Sequence, residues 1–580
     1  MKILLDGRAQ YLQSKYDPQS EAERFVNKFA DETIKHVLFV GIGGGYHIKR
    51  FMETHPDSKF SIYEPDEEVL HAYLSHFQLE QLPLHNLVKI FVGKDIKAIE
   101  SEIKQLLSKS NNVLKIITLP VYEKIYGVQI QTIFEQTLES LKERHSSLTT
   151  NISFQKRWTI NSIKNFPTLF KTPNILYDID RSSFEGKPAI IVAAGPSLNE
   201  EFENLRYIKE NGLAYIFSVG SAINALIDQG IYPDAACTYD PSELNQYVFQ
   251  KLKDENISEI PLIFGSSVGF ETLEEYPGKM FHMITSQDSV SPQLLDTTQS
   301  IDIVLDAPSI AVVTFQLLCR LKCNPILLVG QNLGYIEKKR YASGIKYNFV
   351  ENEVSEEEQK KALIIKDVYG NDIQTDDSFN SMRQQLEMHI GMNENFEVIN
   401  TTKGGAKIKG THFAHLKDLI KERLNTKQVI FAWKDQNPSY EIQYTDKRLE
   451  LLAQAEKNCG RLARKLLETL SEIHQIRLNR QWKNIEKHFA VFDKQFEQLK
   501  RNAFYNGFIE PMIRVQNERL SEESKLYRYE RDINKKVDVI VQVFNAFLQE
   551  VHLHHEFVKP YFEELKLRIE NLTNNDKENG

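Results

Sequence analysis

The chain predicts an α/β protein with an N-terminal Rossmann-like domain, a central Rossmann-like domain and an all-α helical bundle at the carboxyl end. Three observations predict it. Short apolar runs at 37–40, 189–194 and 325–329 each end in glycine or small polar residues, the pattern of strands buried on both faces of a parallel sheet. Helical spacing follows most of these runs. Between Gly410 and Gly580 only Gly460 and Gly507 interrupt long stretches of helical spacing, which predicts a bundle.

With 580 residues, a prior of about 150 residues per domain allows three or four cores. A hydrophobic content of 41% and a charged content of 26% are those of an ordinary globular protein. The net charge of −9 argues against a nucleic-acid binder, because phosphate contact needs a basic footprint. No secretory leader and no run long enough to span a membrane are evident. The four cysteines, Cys237, Cys319, Cys323 and Cys459, lack CxxC spacing. The expectation is a reduced, cytoplasmic protein.

Residues 1–150 form the first expected domain. A strand at 37–40 runs into Gly41, Gly43, Gly44 and Gly45, then a helix at 46–54 and a second strand ending in Glu64. A glycine turn with an acidic residue about 20 positions on is the arrangement that holds a ribose or adenosine. In outline it resembles S-adenosylmethionine methyltransferases, but their downstream catalytic signature is not evident. The turn therefore reads as structural. Residues 151–184 are expected to be a helical connector, punctuated by Pro167 and Pro173.

The central domain is expected over 185–415. Its first strand ends at Gly195-Pro196-Ser197, where glycine permits unusual backbone angles and Ser197 stands beside amides at the start of a helix, a natural phosphate cradle. A second strand leads to Gly220-Ser221 and a helix through Asn224, and a third ends at Asp240-Pro241-Ser242. Three successive strands thus finish in small polar residues on one edge, where open α/β sheets bind ligands. Further strands at 261–265, 280–284 and 303–305 precede Ser309, which opens the apolar helix 310–321 and is placed to hold a phosphate or carboxylate. The strand 325–329 delivers Gln331, Asn332 and Tyr335, a polar set suited to orienting a base or sugar. Residues 337–377 are polar and read as an insertion or lid. After a last strand at 396–399, Lys403, Gly404 and Gly405 allow close backbone approach to a diphosphate or carboxylate.

From 416 to 580 the expected domain is helical. Leu462, Leu466, Leu470 and Ile473, and Ile485, Phe489, Phe492, Phe496 and Leu499, recur at helical spacing. His552, His554 and His555 lack cysteine or carboxylate partners at metal-site spacing, so no metal is expected there.

The elements AGPSL, TYDPSE, NPILLVGQNLGY and NTTKGGAKIKGT resemble the motility-associated factor glycosyltransferases of bacteria. The central part is also similar to bacterial sialyltransferases that use CMP-sialic acid. The resemblance implies transfer, with inversion, of a nonulosonic acid of the pseudaminic or legionaminic type from its CMP-activated donor to Ser/Thr of flagellin. It implies no required cofactor; Mg2+ is compatible with these residues but not indicated by them, since no paired Asp-x-Asp ends a strand. Gly195, Pro196, Ser197, Ser221, Asn224, Ser309, Gln331, Asn332, Tyr335, Lys403, Gly404 and Gly405 are the implied nucleotide and sugar contacts. Two catalytic candidates follow. Asp240 stands where the sialyltransferases carry an asparagine, and either contacts ribose or acts as base; His412 follows the insertion as their base histidine does. The turn at Ser309 departs from the family, which is richer in glycine there. The helical domain is expected to grip the flagellin acceptor. Two alternatives remain: a 6-hydroxymethylpterin diphosphokinase, because a family of those enzymes shares the AGPSL and DP elements, and a non-enzymatic flagellar assembly or chaperone factor.

Overall fold

The computed structural model of the protein describes residues 2–5, 8–30, 32, 34–93, 95–109, 114–296, 302–345, 351–480, 482, 485–528 and 532–579. The chain divides into two compact units, Met1–Thr150 and Asn151–Gly580.

In the first unit, β1 (Lys2–Leu5) and β2 (Arg8–Tyr11) form an antiparallel hairpin. Then β3 (His36–Val40), β4 (Lys59–Glu64), β5 (Leu87–Val92) and β6 (Lys115–Thr118) make a parallel sheet in the order β5-β4-β3-β6. All five residues of β3 are buried, because helices cover both faces of a parallel sheet and leave an apolar run no polar side to alternate with.

The second unit is built on nine parallel strands: β7 (Ala189–Val192), β8 (Tyr215–Val219), β9 (Ala235–Thr238), β10 (Leu262–Gly265), β11 (Met280–Thr285), β12 (Ile303–Val304), β13 (Ile326–Val329) and, after the antiparallel hairpin β14 (Leu363–Lys366) and β15 (Asp372–Thr375), β16 (Val398–Asn400) and β17 (His412–Phe413). Their order is β12-β11-β10-β9-β8-β7-β13-β16-β17. Strands are added on one side of β7 until β12, and the chain then crosses back to place β13 on the other side. The strand order therefore reverses between β7 and β13. Alternate residues feed two cores: Ala189, Ile191, Ile326 and Leu328 pack on one face with Trp433 and the helix Ile310–Arg320, while Ile190, Val192, Leu327 and Val329 pack on the other with Leu198 and Leu226.

The helices Ile442–Leu478, Ile485–Lys500, Arg514–Arg528 and Ile533–Asn579 form the expected all-α region. The stripe Leu462, Leu466, Leu470 and Ile473 is buried in a core that also takes Ile163, Phe166 and Leu169 from the long helix Pro120–Lys171. That helix runs into the expected connector, 151–184, and ends at Lys171, with Pro167 inside it. The α/β class with a helical carboxyl region is thus the observed one. The four cysteines are free and buried. Among the described residues no helix is long and apolar enough to cross a membrane.

Candidate functional site

Ligands of open α/β sheets lie at the carboxyl ends of the strands where the order reverses, which here means the ends of β7 and β13. The two strand ends are locked together: Ala193 N donates to Val329 O at 2.9 Å, and Gly195 N to Gly330 O at 2.9 Å. This approach admits no side chain. A Cβ on Gly195 would lie 2.2 Å from Asn332 Oδ1 and 2.4 Å from Gly330 O, and one on Gly330, whose φ is +67°, would lie 2.3 Å from Ala193 O. From the end of β16, Gly405 closes in on the backbone of Asn332, and Ala406 N donates to Asn332 O at 2.8 Å.

Ser197 sits at the expected turn, but its amide and hydroxyl are not free for a phosphate. They donate to Asn332 Oδ1 at 3.2 and 2.9 Å. Because an amide N–H only donates, this contact fixes the orientation of the Asn332 side chain and directs Nδ2 elsewhere. That Nδ2 is buried and has no hydrogen-bond partner, and the same holds for Oε1 of neighbouring Gln331. Gln331 and Asn332 are 6% and 2% exposed, so water does not compensate either atom cheaply. One unpaired donor and one unpaired acceptor thus belong to consecutive residues at the strand reversal.

Lys403 also departs from its expected role. Its Nζ lies 3.0 Å from Glu201 Oε1 and 3.1 Å from Glu200 Oε2. Burial works to lower its pKa, and the two carboxylates more than reverse this, so the ammonium is held charged by the chain's own acids. Gly404 takes φ +63° in the same loop. Tyr335, expected among the nucleotide and sugar contacts, donates its hydroxyl to Asp376 Oδ2 at 2.8 Å and lies under the Arg340 guanidinium. The expected insertion includes the hairpin β14–β15, which packs on the Gly405 loop through Val368 N to Gly405 O at 2.9 Å.

The other predicted residues, His412 apart, flank this point along the same edge. Gly220-Ser221 closes β8, and Asn224 Nδ2 donates to Val248 O at 3.1 Å while its Oδ1 is buried and unpaired. Ser309 caps the helix Ile310–Arg320 by accepting from Ala311 N at 3.2 Å, which uses an acceptor lone pair of its hydroxyl and not the O–H. Tyr239 hydrogen-bonds Ala307 O, which draws the β12 loop back to the end of β9. Asp240 is exposed there, with Oδ1 accepting from Ser242 N at 2.8 Å. Two strand spacings, about 10 Å, separate β9 from β7.

His412 is not part of this edge. It lies on the outermost strand β17 opposite Ile399, with Nε2 3.7 Å from Glu397 Oε1 at the amino-terminal start of β16. In register it is level with Leu327 of β13, three residues before Gly330 and two strands away, so the fold does not bring this expected base to the strand reversal.

Sequence reasoning missed a polar row on the long helix. Arg157, Asn161 and Asn165, four residues apart, face the sheet. Asn161 Nδ2 donates to Pro241 O and Ser267 O at 2.9 and 3.1 Å, and Asn165 Nδ2 to Ser266 O and Val268 O at 3.1 and 2.7 Å. They cap the strand ends of β9 and β10, and their spacing within an apolar helix was a legible signal. Asp306, Gln287 and Arg514 were also missed. Gln287 Nε2 donates to Asp306 Oδ2 at 2.9 Å, and Gln287 Oε1 accepts from the Arg514 guanidinium. Burial pushes the Asp306 carboxyl up despite these partners. Arg514 brings the helical region onto the same edge, from 227 positions away, and no local signal marks it.

The glycine turn of the first unit is filled by the chain itself. The Tyr122 ring lies 2.5 Å from where a Cβ on Gly41 would be, and its hydroxyl donates to Glu64 Oε2 at 2.7 Å. Ile42 N donates to the same oxygen at 2.8 Å. The carboxylate that would hold a ribose is occupied, in keeping with the structural reading of this turn.

Residues 160–338 match the model of a family described as 6-hydroxymethylpterin diphosphokinase MptE-like. The match spans β7 through β13, including Gly195, Asp240, Gln331 and Asn332. An uncharacterized protein of Treponema pallidum (strain Nichols) is 28% identical over 213 residues, covering 35% of this chain and 69% of its own length. A solved structure, the MAf glycosyltransferase from Magnetospirillum magneticum AMB-1, superposes with a TM-score of 0.59 at 15% identity, over 99% of this chain and 93% of that one. The resemblance read from the sequence is therefore found in the fold: the chain shares that of a Maf glycosyltransferase, and its central sheet carries an MptE-like domain.

Proposed function

We propose that the protein is a glycosyltransferase that moves a nonulosonic acid from its CMP-activated form to Ser/Thr of flagellin. The observation that carries this reading is the pair of buried, unpaired amide atoms at the strand reversal, framed by glycines that admit no Cβ. A cytosine offers the complement, with its exocyclic amine for Gln331 Oε1 and its ring nitrogen or carbonyl for Asn332 Nδ2. From that anchor a nucleotide-sugar extends along the edge toward Asp240.

In this reading the acceptor hydroxyl attacks the anomeric carbon of the sugar as its bond to the phosphate oxygen breaks. CMP leaves with the bonding pair, the configuration inverts, and the proton of the hydroxyl passes to the Asp240 carboxylate. The helical region, which reaches the same edge through Arg514, would present flagellin. Both the sugar type and the acceptor are inferences from the resemblance, supported by the shared fold.

Incubation with flagellin and CMP-nonulosonate, followed by intact-mass measurement, should show a gain of one sugar per modified Ser/Thr; binding of flagellin with no gain in mass would instead support an assembly factor. A second reading is favoured by the name of the matching family, a pterin diphosphokinase. A parallel incubation with ATP, Mg2+ and 6-hydroxymethylpterin decides it: phosphorylated pterin and an unmodified flagellin would overturn the transferase.

A further inference from the structure

Arg514 is a cation on the candidate edge that the chain itself leaves without a counter-ion in contact. The helical region carries it, and three contacts hold it in place. It follows one turn of π-helix, Tyr505–Ile509, a local widening found frequently at functional sites. Ser289 Oγ, beyond the end of β11, donates to Gly507 O at 2.7 Å, and a Cβ on Gly507 would lie 3.0 Å from Gln293 Cγ. Val515 N donates to Gln155 Oε1 at 3.2 Å, and the Arg514 guanidinium lies over the buried Trp158 ring, 5.2 Å from its centroid.

Gln287 separates this cation from the acid beside it. Its Nε2 donates to Asp306 Oδ2 at 2.9 Å while its Oε1 accepts from Arg514 Nη1, so one carboxamide stands between the two charges. Among the described residues no carboxylate forms an ion pair with Arg514. Its Nε and Nη2 bond nothing in the chain, yet neither is among the sealed polar atoms, so solvent reaches both. Burial pushes the guanidinium down, and the field of Asp306 offsets only part of this. A guanidinium nonetheless stays charged in a protein. A partly desolvated cation with open donors is suited to an anion, and its planar fork matches a carboxylate, which accepts two parallel N–H bonds.

The place of Arg514 on the edge selects the anion. Tyr239, the residue before Asp240, hydrogen-bonds Ala307 O, so the loop carrying Asp306 lies at the end of β9. Three strand spacings, about 14 Å, separate β9 from β13, where Gln331 and Asn332 offer the base its anchor. The part of a nucleotide-sugar that extends this far is the sugar, beyond the phosphate, and a nonulosonic acid bears a carboxylate on its anomeric carbon. Given the transferase reading, on which this role rests, we propose that Arg514 recognises the carboxylate of the sugar and so restricts the donor to acidic sugars.

The test is calorimetric titration of the full-length protein with CMP, CMP-pseudaminic acid, CMP-legionaminic acid and the methyl esters of the two sugar carboxylates. The wild type should bind CMP and at least one of the two sugar nucleotides, and esterification should weaken that sugar nucleotide by about tenfold to a hundredfold, the loss of a bidentate charge-assisted pair. Arg514→Gln should weaken the acid by a similar factor, leave the affinity for CMP unchanged and no longer distinguish acid from ester. A merely structural role for Arg514 would not remove that distinction. Equal binding of acid and ester by the wild type would overturn the proposal whether or not the variant folds. So would an Arg514→Gln protein that still prefers the acid, or one that loses CMP in the same proportion, which would put Arg514 at the phosphate. No binding of CMP or of either sugar nucleotide would overturn the transferase reading and this role together, whereas CMP bound without either sugar nucleotide would overturn this role and leave the nucleotide site standing.

Discussion

The two glycine turns, Gly41–Gly45 in the first unit and Gly195 with Gly330 in the second, look alike as sequence and differ in what fills them. At Gly41 the occupant is a whole tyrosine ring, and the carboxylate beside it has three donors, Ile42 N, Tyr122 Oη and Asp66 N. At Gly195 the occupant is a single carboxamide, and two amide atoms around it have no partner. A glycine-rich turn marks where the backbone must come close to something. Whether that something is the chain or a ligand is decided by the balance of donors and acceptors left over. The first turn is closed and the second is incomplete.

The sharpest way to break this contrast is by adding a methyl group. Gly330→Ala places Cβ 2.3 Å from a backbone oxygen at φ +67°, and should cost roughly 3 kcal/mol or more and lower the melting temperature of the second unit. Asn332→Ala should not rescue it, because the obstructing atom belongs to Ala193. Gly41→Ala should be partly rescued by Tyr122→Ala, because there the obstruction is a side chain; a double-mutant cycle measures this coupling, and strict additivity would refute the assignment.

Next in size, Tyr122→Ala alone should cost about 3–5 kcal/mol through the cavity it leaves. If the turn of the first unit is closed only by this ring, the variant is also the one in which a nucleoside should begin to bind.

The pH dependence separates the units further. Burial pushes the Glu64 carboxyl up to about 7, with the donors from Ile42, Tyr122 and Asp66 opposing it. A raised folded-state pKa means that the folded form holds the proton more tightly. The stabilisation is full below the ordinary value of 4.5 and is lost as pH rises through about 7. The first unit should therefore lose about 3 kcal/mol over that interval. Hydrogen exchange at amides of β3 would read it, and Glu64→Gln should flatten the slope.

The smallest effect is the most informative about the second turn. Gln331→Leu removes an unpaired buried acceptor, so the unliganded protein should keep its stability or gain about 1 kcal/mol. The thermal shift produced by CMP should disappear. Loss of stability with an undiminished CMP shift would mean that Gln331 serves the fold and not the ligand.

Read along the chain, the apolar runs and glycine punctuation of 37–40, 189–194 and 325–329 announced the parallel sheets, and the leucine and phenylalanine stripes announced the helices. These are local properties: burial on two faces demands continuous apolar character, and burial on one face of a helix demands a period near four. The clustering of Gly195, Ser197, Asn332 and Gly405 was legible for the same reason, since strand ends of one parallel sheet share an edge. What only the tertiary structure decided is the pairing. Ser197 is claimed by Asn332 across 135 positions, Lys403 by Glu200 and Glu201, Gly41 by Tyr122, and the edge by Arg514 from the helical region. His412 was lost to register, which is set by which strand lies beside β16 and not by distance along the chain. Hydrogen-bond partners are chosen in three dimensions, so residue type tells what a side chain can bind, while only the fold tells what has already been bound.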